Sequence, residues 1–240
     1  MLSRFVQRRS IWCPTPMGWL VLLVLLVLPV PAWWFFGEGF LAHPDTRQAD
    51  TLIVEGWIGY DGMSAAKDEF VRGGYRWIVT TGGFTNNVWG RQRWNYAELA
   101  HAQLLRLGIP ADQIIAAPAP KKGSQRTFES AVAARDTLLR RSLRPAVANI
   151  FTLGVHARRS RLVFSKVLPS GIEVGSVPWY PPHYGPGPWW KSSERAADMI
   201  KETVGYIFEL LLNSGRTSNS PPPVTEAPNP TTNLQPDPDA

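Results

Sequence analysis

Apolar positions along the chain follow three patterns, and each predicts a different kind of element. The first is an uncharged run from Ser10 to Gly37 whose centre, "MGWLVLLVLLVLPVPAWWFF" (Met17 to Phe36), would span about 30 Å as a helix, the thickness of a hydrocarbon core. The second is a series of short, fully apolar, β-branched runs that end at glycine or a turn: "TLIVE", "RWIVTTGG", "ADQIIAAP", "AVANIFTL" and "GIEVGSVP". The third is helical spacing between them. Met63, Ala66 and Phe70 share one face, as do Ala97, Ala100, Leu104 and Leu107, and so do Phe128, Ala131, Ala134 and Leu138. Asn95 and Glu98 form a capping-box start, and Gly73 and Gly74 stop the preceding helix. A further helix is predicted over "HARRSRLVFSKVL", and a last one over Glu194–Leu212. In that last helix Ala197, Ile200, Val204, Ile207 and Leu211 form a stripe expected to close a sheet face.

Apolar strands alternating with helices predict a parallel sheet covered on both sides, a three-layer Rossmann-like α/β domain behind a single N-terminal transmembrane helix. The expected division is a cytoplasmic N-terminus (1–16), a transmembrane anchor (17–36), a linker (37–48), the α/β domain (49–213) and a proline-rich tail (214–240). That tail is too poor in bulky apolar residues to offset its ordering entropy. "PWYPPHYGPGPWW" (178–190) is too rich in proline and glycine for regular structure and too aromatic for a solvated linker, so an ordered loop is expected there.

Charge gives the anchor a direction. Arg4, Arg8 and Arg9 precede it and Glu38 follows, so the positive-inside tendency places the N-terminus in the cytoplasm and the domain outside. A cleaved signal peptide would end its apolar core in small residues, and "LPVPAWWFF" offers no such site. The only cysteine, Cys13, precedes the anchor, so no disulfide can form within the exported part. The net charge of +6 permits an anionic partner, but an exported domain seldom meets nucleic acid, and none is expected here.

In an open parallel sheet the ligand crevice lies beyond the carboxyl ends of the strands. Unusual residues gather at those places: Glu55, Gly56 and Trp57 after the first strand, Thr81, Gly82 and Gly83 after the second, and Gly154, His156, Arg158 and Arg159 after the fourth. Arg126, Thr127 and Glu129 open the helix before that fourth strand. Paired glycines let backbone N–H groups approach an anion, or simply make a tight turn. His156 suits acid–base work or phosphate binding, or the plainer role of a helix-start cap. Adjacent helical residues point about 100° apart, so Arg158 and Arg159 diverge, with Arg159 in the crevice and Arg158 solvated. A carboxylate at Glu55's buried strand end needs a partner. The chain has neither a P-loop nor a G-x-G-x-x-G fingerprint and identifies no cofactor; its four histidines are scattered, so no metal site is expected.

Four of these segments, in order, resemble the YdcF-like (ElyC–SanA–YdcF domain) family of membrane-associated envelope proteins: "LIVEG", "TTGG", the Thr-x-Glu-x-Ala start "TFESA" and the strand followed by His-x-x-Arg in "TLGVHARR". The likeness runs from about Ala49 to Pro178. It implies a Rossmann-like fold and a site containing Gly56, Gly82, Gly83, Thr127, Glu129, His156 and Arg159. The chain departs from the family at Arg126 and Ser130, where asparagines are common, and at Glu55, where an apolar residue is usual. The expectation is a single-pass protein of the bacterial inner (plasma) membrane, acting in peptidoglycan biogenesis or a related envelope task. Its domain binds a phosphorylated small molecule or lipid-linked precursor and, if an enzyme, cleaves or transfers a phosphate ester or anhydride. In that reading His156, Glu129 and Arg159 are catalytic, and Glu55, Gly56, Thr81, Gly82, Gly83, Arg126 and Thr127 hold the ligand. The alternative is a non-catalytic scaffold or anion-sensing module.

Overall fold

A computed structural model describes residues 14–84, 94–120 and 125–211 of the chain. Two short helices, α1 (Pro16–Val27) and α2 (Pro29–Leu41), meet at Leu28 and form one apolar segment of 26 residues, long and apolar enough to cross a membrane. Thr15 caps the start, accepting a hydrogen bond from the Gly18 N–H. α2 runs five residues past the expected end of the anchor, and Gly37 and Leu41 are buried against the domain. The expected linker is therefore partly helical, and its Asp45 pairs with Ser176 in an antiparallel bridge.

Five strands follow: β1 (Thr51–Glu55), β2 (Trp77–Gly82), β3 (Ile114–Pro118), β4 (Val147–Leu153) and β5 (Glu173–Trp179). They form one all-parallel sheet in the order β3-β2-β1-β4-β5. The chain builds outward from β1 in one direction, then returns to the other side of β1 with β4. The switch point thus lies between β1 and β4, where a doubly wound sheet opens a crevice at its carboxyl edge.

The crossover helices are α3 (Gly59–Gly73), α4 (Tyr96–Arg106), α5 (Arg126–Arg140) and α6 (Ala157–Val167). Their apolar stripes define two cores. Met63, Ala66, Phe70, Ala100 and Leu104 of α3 and α4 cover Leu52, Val54, Ile78 and Phe151. Phe128, Ala131, Ala134, Val163 and Phe164 of α5 and α6 cover Ile53, Val79, Ile115 and Ile150. The expected three-layer parallel-sheet architecture is present. Local signals act as the sequence implied: Asn95 accepts from the Ala97 N–H at 2.9 Å, and Gly74 ends α3 in the left-handed region at φ +64°.

The last helix, α7 (Ser193–Leu211), overturns one expectation. Its stripe of Ala197, Ile200, Val204, Ile207 and Leu211 is exposed and covers no sheet face. The buried residues of α7 are instead Met199, Glu202 and Glu209. Four helices already cover the sheet, so α7 packs on α6 and α2, and the partners waiting there are cationic: Arg159 for Glu202 and Lys166 for Glu209. The 178–190 segment is ordered around two 3₁₀ turns. Its Trp189 donates to the Trp34 carbonyl of α2 at 3.0 Å, the two rings 4.8 Å apart. The tail predicted over 214–240, the N-terminal arginines and Cys13 lie outside the described residues, as do Trp89, Arg91, Arg93, Lys121 and Lys122.

Candidate functional site

At the switch point the side chains of β1, β4, α6 and α7 meet. Strand alternation turns Glu55 toward α6, on the same face as Ile53, and Thr152 of β4 shares that face with Ile150. A 3₁₀ turn, Gly154–His156, then swings His156 over the end of β1. Gly154 permits this close turn, because a Cβ there would overlap the Tyr180 ring.

His156 is 3% exposed on its whole residue and sits between two carboxylates. Nδ1 lies 2.8 Å from Glu202 Oε2, and Nε2 lies 3.3 Å from Glu55 Oε2. At that distance the second contact is an electrostatic pairing with Glu55 rather than a well-formed hydrogen bond. Glu55 is satisfied from elsewhere, accepting from Thr152 Oγ1 and from Ser160 Oγ at 3.0 Å. Arg159 donates from Nε to Glu202 Oε2 at 2.6 Å and from Nη2 to Oε1 at 3.1 Å, while Trp57 meets the imidazole edge-on at 5.2 Å.

Burial alone would lower the His156 pKa, but Glu55 and Glu202 outweigh it and hold the ring above its ordinary value. Burial would raise both carboxylates; the charge of His156 reverses this for Glu55, with help from the Thr152 and Ser160 hydroxyls. The charges of His156 and Arg159 hold Glu202 far below the usual carboxylate range. The Arg159 guanidinium is likewise stabilised by Glu202 against its own burial. With His156 protonated, the group holds two anions and two cations, a buried quartet of zero net charge.

The other predicted residues occupy the same carboxyl edge. Thr81 pairs in register with Glu55, and its side chain faces α5, donating to the Ser130 carbonyl at 2.9 Å. Thr127 and Glu129 are buried in the first turn of α5, and Arg126 is exposed beside them. Gly56 and Gly82 both face the start of α4: a Cβ on Gly56 would overlap the Tyr96 carbonyl oxygen, and one on Gly82 would come within 2.8 Å of the Tyr96 Cβ. Their smallness serves the approach of that helix. Gly83 accepts from the Tyr96 N–H at 2.9 Å and is partly exposed.

Two expectations about arginines change. Arg159 is not an open clamp but is committed to Glu202. Arg158 is half-exposed but not free in solvent; its Nε donates to the Phe40 carbonyl at 2.5 Å, and its guanidinium stacks 3.9 Å above the Phe40 ring. Glu202 was missed outright, since nothing in a polar position of an amphipathic helix signals a partner 46 residues upstream.

Fold and site together define a doubly wound α/β domain with a buried charged quartet at its switch point, attached to a helix apolar enough for a membrane. No protein-family model matches the chain, and no curated protein matches it. Among the described residues no group of three or more His, Cys, Asp or Glu side chains is arranged to hold a metal ion.

Proposed function

We propose that the chain is a single-pass envelope protein of the YdcF-like kind, with its N-terminus in the cytoplasm and its α/β domain outside the bacterial plasma membrane. The domain binds a phosphorylated envelope metabolite, a wall precursor or carrier lipid, and hydrolyses or transfers it. One observation carries this reading: His156 Nε2 is buried at the switch point, 3.3 Å from the Glu55 carboxylate but without a well-formed hydrogen bond, on a ring whose pKa Glu55 and Glu202 raise. Such an atom is poised to donate to an anionic oxygen. In hydrolysis, water attacks phosphorus, the bridging P–O bond breaks, and the leaving oxygen takes its proton from Nε2. Glu129, in the first turn of α5, is the carboxylate assigned to orient and deprotonate the water. Arg159 keeps its role only indirectly, by fixing Glu202 behind the imidazole. After transfer the quartet would carry net charge −1, which favours reprotonation and return to the resting state.

The mutual pairing of all four charges favours a second reading, a binding module that senses an anion without turning it over. The full-length protein in detergent separates the two when phosphate release from a polyprenyl diphosphate is measured for wild type and His156→Gln. Turnover in wild type that falls by about 10²–10⁴ in the variant is the expected result. Equal turnover in both sinks the acid role, and saturable binding with no turnover in either form favours the sensor.

A further inference from the structure

We infer that α7 lies in the outer interface of the membrane, with its exposed apolar stripe resting among lipid acyl chains. This rests on the reading of α1 and α2 as a membrane span. Ile200 (64% exposed), Val204 (63%), Ile207 (48%) and Leu211 (73%) project from one side of the helix, joined by exposed Phe208. They run for about 16 Å along the axis. The opposite side is fully engaged by the domain through Met199, Glu202 and Glu209. A stripe of this size facing water is a marker of an interaction surface.

Its depth is fixed by the anchor. Trp33 Nε1 donates to Thr203 Oγ1 at 3.1 Å, and Phe40 meets Tyr206 edge-on at 5.6 Å. Trp33 lies near the outer end of the 20 apolar residues that fill a hydrocarbon core, the level at which tryptophan anchors. Thr203 shares that level, and so does its neighbour Val204. α2 likewise exposes apolar side chains, Val30, Phe35 and Phe36 among them. Lys201, exposed on the flank of the stripe, lies 3.5 Å from Glu202 through its ammonium. The residues after α7 do not match such a surface. From 212 to 240 they hold three bulky apolar side chains, Leu212, Val224 and Leu234. An amphipathic helix whose polar face is occupied by its own domain and whose apolar face meets the bilayer is a familiar interfacial arrangement.

The test uses the full chain with its single cysteine removed (Cys13→Ser), reconstituted in nanodiscs of phosphatidylcholine and phosphatidylglycerol. Nitroxide labels are placed in turn at Ile200→Cys, Val204→Cys and Ile207→Cys, with Leu23→Cys as the mid-anchor reference and Glu98→Cys as the aqueous one. Collision with oxygen is compared with collision with a water-soluble nickel chelate. The inference requires the three α7 labels to favour oxygen, as Leu23→Cys does, while Glu98→Cys favours nickel. If the α7 labels follow Glu98→Cys while Leu23→Cys still favours oxygen, α7 faces water and the inference is wrong, with the anchor intact. Labels shielded from both reagents mean that protein covers the stripe, and the inference fails in favour of a second copy or the tail. Should Leu23→Cys itself favour nickel, the span fails and the inference goes with it.

Discussion

Replacing Glu202 by Gln keeps the size of the side chain and deletes one charge from the quartet. Glu202 is 2% exposed, and it is the shared partner of His156 Nδ1 and of both Arg159 donors. Removing one member of a buried ion pair leaves its partner uncompensated and costs about 3–5 kcal/mol. For a domain of this size that is a fall in Tm of about 6–20 °C, at about 2–4 °C per kcal/mol. The cost depends on pH. His156 is raised above its unfolded value of about 6.5, so its share of the stability is complete below that pH and is lost as pH rises through the folded value. Glu202 is lowered, so its share is complete above the ordinary Glu value and is lost as pH falls toward its folded one. The deficit of the variant is therefore greatest between about pH 4.5 and 6.5 and shrinks on either side. Thermal unfolding followed by tryptophan fluorescence in detergent, at about pH 6 and again near pH 9, measures both the size and the trend. A change in Tm below about 2 °C at pH 6, or a deficit that grows with pH, would refute the claim that Glu202 raises the His156 pKa.

Gly154→Ala places a methyl group against the Tyr180 ring and forces it aside, for an expected loss of about 1–3 kcal/mol seen as a lower urea midpoint. Asn149→Ala removes a buried amide that donates to the Arg47 carbonyl at 2.7 Å and to Tyr75 Oη at 2.8 Å, and that accepts from the Arg47 N–H at 3.1 Å. At about 1 kcal/mol per bond the loss is about 3 kcal/mol, and exchange of the Arg47 amide with deuterium should quicken in parallel.

The strands were legible because a parallel sheet buries both faces and so writes uninterrupted apolar runs, such as "TLIVE", that stop where a glycine turns the chain. Glu55 was legible as an anomaly for the same reason: a carboxylate at the end of such a run demands a partner, and His156, Thr152 and Ser160 supply it. The orientation of α7 was not legible. Periodicity reveals that a helix has an apolar face but not what that face meets, and the usual guess fails when charge pairing claims the polar side. Glu202 and Arg158 share that difficulty, since their partners His156 and Phe40 are brought to them by packing between elements far apart in the chain. The divergence of Arg158 and Arg159 did follow from helix geometry alone, and the two side chains indeed leave in different directions, toward α2 and α7.

A sheet of five strands with α3 to α6 on its faces is already a complete doubly wound domain, so α2 and α7 need a separate explanation. Both pack on the Gly154–His156 turn and on α6. Leu41 of α2, Val155 of the turn, Trp189 and Met199 of α7 form a small apolar cluster of their own, beside the charged quartet. α7 supplies Glu202 to that turn, and α2 in turn positions α7 through the Trp33–Thr203 hydrogen bond and the Glu38–Arg195 ion pair at 2.6 Å. The raised pKa of His156 thus draws on two carboxylates, Glu55 held by the sheet and Glu202 held by a helix that the apolar N-terminal segment helps to place. A site built this way has a physical reason to sit next to that helix: pulling the helix away from the domain loosens α7, and with it one of the two charges that raise the imidazole pKa.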